Sequence, residues 1–249
     1  MTDRVLGVIP ARLESTRLPG KPLRAICGRP MIAWVYENAR QAKCLDHLLV
    51  ATDSPEVESY CREHAIPVMM TSREHKSGTD RLAEVMAREP AAIYVNIQGD
   101  EPMITPGHVE LLLEPFAEEP ATQVSTLKVA INAETALDRN VVKVVTDLAG
   151  RALYFSRSRI PHERDNRGEA RYFKHQGFYA YRAAALDQFH HLPATPLEKL
   201  EKLEQLRFLE NGIGIVVKET AHDTIGVDTE EDLRTVEEYF RRPEFHPER

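Results

Sequence analysis

Over the first hundred residues, short apolar runs alternate with longer stretches in which apolar positions recur every three or four residues. Val5-Leu6-Gly7-Val8-Ile9 is continuously apolar, has the length of a buried strand, and is ended by Pro10. Between residues 31 and 42 the side chains of Met31, Ile32, Val35, Ala39 and Ala42 fall on one helical face. Residues 48–51 read as a second strand. Ser54-Pro55 then sets a capping residue before a proline at the first helical position, opening a helix toward Ala65. The same order repeats: a strand at 67–70, a helix opened by Thr79 and running to Arg88, a strand at 92–97, and a helix opened by Thr105-Pro106.

Strands alternating with helices of this length predict an α/β fold with a largely parallel sheet flanked by helices, whose ligands sit beyond the carboxyl ends of the strands. After Gln123 the pattern turns strand-rich, with strands expected at 124–130, 141–146, 152–156 and 177–181. Helices return at 197–210 and 230–240, separated by a strand at 213–217. The expected organisation is one domain over 1–240 with a small strand-rich insertion at about 123–185, then a solvated tail over 241–249.

Composition narrows the class. Hydrophobic residues at 42% and charged residues at 29% are the balance of a soluble globular chain. No apolar run approaches the roughly 20 residues of a membrane span. The first residues lead directly into the opening strand, so a cytoplasmic protein without a membrane partner is expected. Cys27, Cys44 and Cys61 are spaced too widely for a paired metal or redox motif and read as small apolar residues. A net charge of -7 disfavours a nucleic-acid partner, so any phosphate ligand must be met locally.

Three stretches offer that local chemistry. Through residue 24, Arg4, Arg12, Arg17, Lys21 and Arg24 outnumber Asp3 and Glu14, a local net of +3 on the loop after the first strand. Arginine forks suit phosphate or carboxylate, and lysine supplies a compact charge; a solvated basic loop is the plainer reading. This loop is not a Walker A motif, because Ser15 and Pro22 stand where that motif needs Gly and Ser or Thr. Gly212-Ile-Gly214 lacks the third glycine of a dinucleotide fingerprint. The second stretch, Gln98-Gly-Asp-Glu101, puts carboxylates at a strand's carboxyl end, where they can hold a hard cation or simply form a turn. In the third, Asp228 precedes Thr229, the expected cap of the last helix, and is either a second metal carboxylate or a turn residue.

In their order along the chain these words resemble the CMP-Kdo synthetases, the 3-deoxy-manno-octulosonate cytidylyltransferases. The resemblance is nearly full length and includes Pro10-Ala-Arg-Leu-Glu-Ser-Thr-Arg-Leu-Pro-Gly-Lys-Pro22, Ser77-Gly-Thr-Asp-Arg-Leu-Ala-Glu84 and Asn96-Ile-Gln-Gly-Asp-Glu-Pro102. Val142-Lys-Val-Val145, Ala152-Leu-Tyr-Phe-Ser-Arg157, Lys174-His-Gln-Gly-Phe-Tyr-Ala-Tyr181, Glu201-Lys-Leu-Glu-Gln-Leu-Arg207 and Gly226-Val-Asp-Thr229 continue it. It implies a nucleotidyltransferase-like fold, often a homodimer, acting in the cytoplasm on CTP and an acidic 2-keto sugar, Kdo, for lipopolysaccharide biosynthesis. It also implies that Arg12 and Lys21 meet the CTP phosphates, with Ala11, Ser77, Gly78, Arg81 and Gln98 around the nucleotide. Asp100 and Asp228 would hold Mg2+, completing a catalytic set with Arg12 and Lys21. Arg17, Arg157, His175, Tyr179, Glu204 and Gln205 would approach the sugar acid. Read on their own residues, His175 and Tyr179 also fit a packed strand, and Glu204-Gln205 a solvated helix face.

Overall fold

The computed structural model describes residues 4–13, 17–75, 77–165 and 167–242. The segment Glu14-Ser-Thr16 of the basic loop and the part of the expected tail from residue 243 onward therefore lie outside the described residues. In chain order the elements are β1 (Val5–Ala11), β2 (Ala25–Ile26), β3 (Arg29–Pro30), α1 (Met31–Ala39), β4 (His47–Thr52), α2 (Pro55–Glu63), β5 (Val68–Met70), α3 (Gly78–Arg88), β6 (Ile93–Asn96) and α4 (Pro106–Glu118). There follow β7 (Val124–Ile131), β8 (Lys143–Thr146), β9 (Ala152–Ser156), β10 (Tyr172–Arg182), α5 (Ala183–His191), α6 (Pro196–Glu201), α7 (Gln205–Glu210), β11 (Ile215–Thr220) and α8 (Glu230–Phe240).

These elements pack as two compact units. One comprises the chain up to Val109 together with Thr224 onward, and the other runs from Glu110 to Asp223. In the first unit β6, β1, β4 and β5 lie side by side in that order, all parallel. The chain moves outward from β1 through β4 to β5, then returns to place β6 on the other flank of β1. That reversal opens a crevice at the carboxyl ends of β1 and β6, where ligands of open α/β sheets bind. The central strands are buried on both faces, as Leu6, Val8, Ile9, Val50 and Val95 show.

The C-terminal helix α8 completes the first unit. Thr229 caps it by accepting from the Asp232 N–H, and Asp232 accepts from the backbone N–H groups of Asp228 and Thr229. Its apolar face, Leu233, Val236 and Phe240, joins Leu18, Ile26, Met31 and Val227 in one core. Trp34 stacks on Phe240 with centroids 4.6 Å apart, and its indole N–H donates to the Ile26 carbonyl.

The second unit is mixed. β7 pairs with β10 antiparallel and with β11 in parallel, while β8 pairs with β9 and β10 antiparallel. The strand expected at 177–181 is the end of the longer β10, whose register slips between Gln176 and Tyr179. That slip marks a bulge over Gly177 and Phe178, which breaks the simple alternation along the strand. The helix expected at 197–210 is two helices, because Lys202 adopts φ 56°, ψ 48° and ends α6 in a left-handed cap. Among the described residues no helix is long and apolar enough to cross a membrane.

Candidate active site

The crevice at the end of β1 is a cleft of about 380 Å³ lined by the tip of β1, the turn after β6 and the loop before α8. Gly20, at φ 69°, turns the chain into a short 3-10 turn, Lys21–Leu23, which delivers Lys21 to this cleft. The Lys21 ammonium donates to Asp100 Oδ2 at 2.6 Å and to Asp228 Oδ1 at 2.8 Å. Arg17 reaches the other oxygen of Asp228 at 3.0 Å. Asp100 and Asp228 are held together through the backbone as well, since the Val227 N–H donates to the Asp100 carbonyl at 2.8 Å.

Burial alone would lower the Lys21 pKa, but Asp100 and Asp228 outweigh it and the pKa is raised, so the group is an ammonium at neutral pH. For Asp228 burial raises the pKa, and Lys21 and Arg17 more than reverse this, leaving an ionised carboxylate. Lys21 and Arg17 thus alternate with the carboxylates of Asp100 and Asp228 in the cleft, and Arg12 lines it as a third cation. Such a site can exchange an internal ammonium for another cation and present basic groups to phosphate.

Backbone approach sets the floor of the cleft. A Cβ on Gly99 would lie 2.7 Å from the Pro10 carbonyl oxygen, and one on Gly78 would lie 3.3 Å from Pro10 Cγ. Only glycine lets the turn after β6 sit this close to β1. Of the expected nucleotide residues, Ala11, Arg12, Lys21, Gly78 and Gln98 line the cleft, together with Arg17, Asp100 and Asp228. Ser77 instead caps α3, accepting from the Asp80 N–H at 3.1 Å. Arg81 is fully buried, pairing with Asp53 at 2.7 Å and donating to the Thr71 hydroxyl. It ties the ends of β4 and β5 to α3. Gly99 and Pro10 stand within the sequence motifs but carry no site role there, although a glycine between a strand end and an aspartate is a signal of close backbone approach.

In the second unit His175 and Tyr179 come together on β10 beside Thr126 of β7. The Thr126 hydroxyl donates to the Phe178 carbonyl at 2.7 Å, so at 2.9 Å it accepts from His175 Nε2–H, which assigns the tautomer. Burial, with Lys174 adding to it, holds the His175 pKa down to about 3, so the ring is neutral. Burial pushes the Tyr179 phenol well above its ordinary pKa, Tyr181 and Glu204 add to this, and a Thr126 hydrogen bond opposes it. Phe155 packs edge-on to His175 at 5.0 Å, bringing the end of β9 alongside. Arg157, two residues on, is held by Glu201 and by the Arg139 carbonyl. Gln205 is buried at the start of α7, and Glu204 precedes it.

Residues 6–220 match the family model described as cytidylyltransferase. The 3-deoxy-manno-octulosonate cytidylyltransferase of Koribacter versatilis is 54% identical, over 96% of this chain and 91% of its own. That of Escherichia coli is 49% identical, over 94% and 95%. The solved structure of a CMP:2-keto-3-deoxy-manno-octonic acid synthetase complexed with CTP superposes with a TM-score of 0.92 at 48% identity, covering 95% of this chain and 98% of that one. A cytidylyltransferase from Leptospira borgpetersenii, at 17% identity and a TM-score of 0.63, shares the fold.

Proposed function

The chain belongs to the 3-deoxy-manno-octulosonate cytidylyltransferases, and from that premise we propose that it transfers CMP from CTP to the anomeric hydroxyl of Kdo. The hydroxyl oxygen bonds to the α-phosphorus, the bond from that phosphorus to the β-phosphate oxygen breaks, pyrophosphate leaves, and the hydroxyl proton passes to water. What carries the reading is the Lys21 ammonium held between Asp100 and Asp228 in the cleft at the ends of β1 and β6.

Arg12 and Lys21 meet the triphosphate, and Lys21 follows the negative charge that builds on the departing pyrophosphate. Ala11, Gly78 and Gln98 surround the nucleotide, with Ser77 and Arg81 on α3 and its cap completing the set. Asp100 and Asp228 fit a divalent cation such as Mg2+. Their hard oxygens already converge on one positive charge, and two carboxylates leave room for the water and phosphate ligands that Mg2+ keeps. Bound there, the ion would neutralise phosphate oxygens and lower the pKa of an attacking hydroxyl. Among the described residues no histidine lines the cleft, and His175, its pKa held down to about 3 by burial, is a weak proton acceptor.

On the first unit Arg17 suits a carboxylate such as that of the sugar acid; on the second, Arg157, His175, Tyr179, Glu204 and Gln205 form the acceptor set, in which the Arg157 guanidinium offers the same kind of fork. His175 serves there as a neutral ring rather than as a cation. The same reading takes the working form to be a homodimer in the cytoplasm; light scattering on the purified protein checks the assembly. The reaction itself is tested by pyrophosphate release with CTP and Mg2+, with and without Kdo. Kdo-dependent release is expected, whereas release that occurs only with a different sugar acid overturns the acceptor, and CTP binding without release overturns catalysis.

A further inference from the structure

Lys143 opens β8 with its side chain fully buried. An ammonium has three protons, and here all three go to backbone carbonyls: Asp138 at 2.7 Å, Val141 at 2.6 Å and Arg157 at 2.6 Å. Burial lowers its pKa, with Asp138 and Glu201 opposing and Arg157 adding to the shift. A saturated, enclosed ammonium has no donor left for a ligand. An apolar side chain of similar volume would occupy the space without the cost of desolvating a charge. The use of the charge therefore lies in what it gathers.

What it gathers is the frame of Arg157. The Arg157 N–H donates to Glu201 Oε2 at 3.0 Å, and its carbonyl accepts from Lys143. Its Nε donates to the Glu201 carbonyl at 2.8 Å, and its Nη1 to the Arg139 carbonyl at 3.3 Å. Arg139 lies between Asp138 and Val141, the other two residues whose carbonyls Lys143 grips. One ammonium thus fixes both the root of the Arg157 side chain and the turn that receives its tip.

We propose that Lys143 is a positioning residue for the acceptor side of the reaction, setting the Arg157 guanidinium so that its planar fork meets the sugar-acid carboxylate. This rests on the reading of Arg157 as a sugar-acid ligand. A guanidinium recognises a carboxylate through two parallel hydrogen bonds, so its plane matters as much as its charge. Just after β9, and against the turn before β8, that plane is set by Lys143 through the backbone.

The test compares Lys143→Met, Lys143→Arg, Arg157→Ala and the Lys143→Met/Arg157→Ala double variant. Kdo is varied at saturating CTP and Mg2+, and CTP binding is measured by calorimetry. Lys143→Met should raise the Kdo KM about tenfold or more while leaving the CTP Kd within about twofold. Lys143→Arg, which keeps the donors, should recover part of the loss. The double variant should be no worse than Arg157→Ala, because the two losses are one loss. A Kdo KM unchanged in Lys143→Met but raised in Arg157→Ala overturns the proposal alone. A KM unchanged in both removes Arg157 from the sugar side and the proposal with it. Loss of CTP binding together with sugar use in Lys143→Met, with no recovery in Lys143→Arg, overturns the positioning role in favour of a general structural one.

Discussion

Asp100 and Asp228 come from distant parts of the chain and share one ammonium, so each carboxylate is matched to a cation at closest approach. Asp100→Asn keeps the shape and removes the charge. Turnover is expected to fall about a hundredfold while the CTP Kd changes by less than about fivefold, because the charge matters most as the phosphates separate. Single-turnover rates set beside calorimetric CTP affinities check this, and equal losses in both would contradict it. His175 gives a separate handle on stability. Unfolded, its ring binds a proton near pH 6.5, whereas folded it stays neutral down to about 3. Between those values only the unfolded state carries the proton. The folded state therefore keeps its full margin above pH 6.5 and loses it as pH falls toward 3, by about 1.4 kcal/mol per pH unit. His175→Gln should flatten that decline in urea melts taken from pH 7 to 4; parallel slopes for the two proteins would refute it. The basic loop and both aspartates were legible as residues in the sequence. Arg81 was named through the family resemblance, but its enclosure was not legible, since an arginine on an amphipathic helix does not announce that Asp53 and Thr71 will pair with it.

Elements explain how those residues are presented. Helix α8 positions Asp228 at its N-terminus, while its apolar face packs on Leu18 and Ile26 to either side of Lys21. Phe240→Ala removes the stack on Trp34 and a ring that is 4% exposed. A loss of about 3–5 kcal/mol is expected from denaturant titration, accompanied by weaker CTP binding as the Lys21 turn loosens. Unaltered CTP affinity in the folded fraction would mean that α8 supports stability only. Helix α8 was readable from its period and its Thr229 cap. The break at Lys202 was not, because lysine favours helix and only the demand of the following turn puts it at positive φ. Lys202→Gly should accordingly stabilise the protein by about 1 kcal/mol, read as a raised urea midpoint. A lowered midpoint would show that the lysine side chain contributes more than its strained backbone costs.

At the scale of the whole molecule, ligand and fold are linked through the cleft of the first unit. CTP at about a hundred times its Kd should add about 2.7 kcal/mol of stability and raise the melting temperature by roughly 5–10 °C. Lys21→Met should diminish that shift, and an undiminished shift would place the triphosphate elsewhere. The sequence by itself determined the alternation of strands and helices, the parallel sheet of the first unit, and the loops that carry the charged residues. Those features depend on periodicities and caps that are local in the chain. Only the tertiary structure decided which of these residues meet. Lys21 sits between Asp100 and Asp228 because β6 returns to the far side of β1, Arg81 pairs with Asp53 because α3 packs beside the ends of β4 and β5, and Lys143 joins the turn before β8 to Arg157 because β8 pairs with β9. Contacts of that kind depend on strand order and backbone approach, and no local window of sequence contains either.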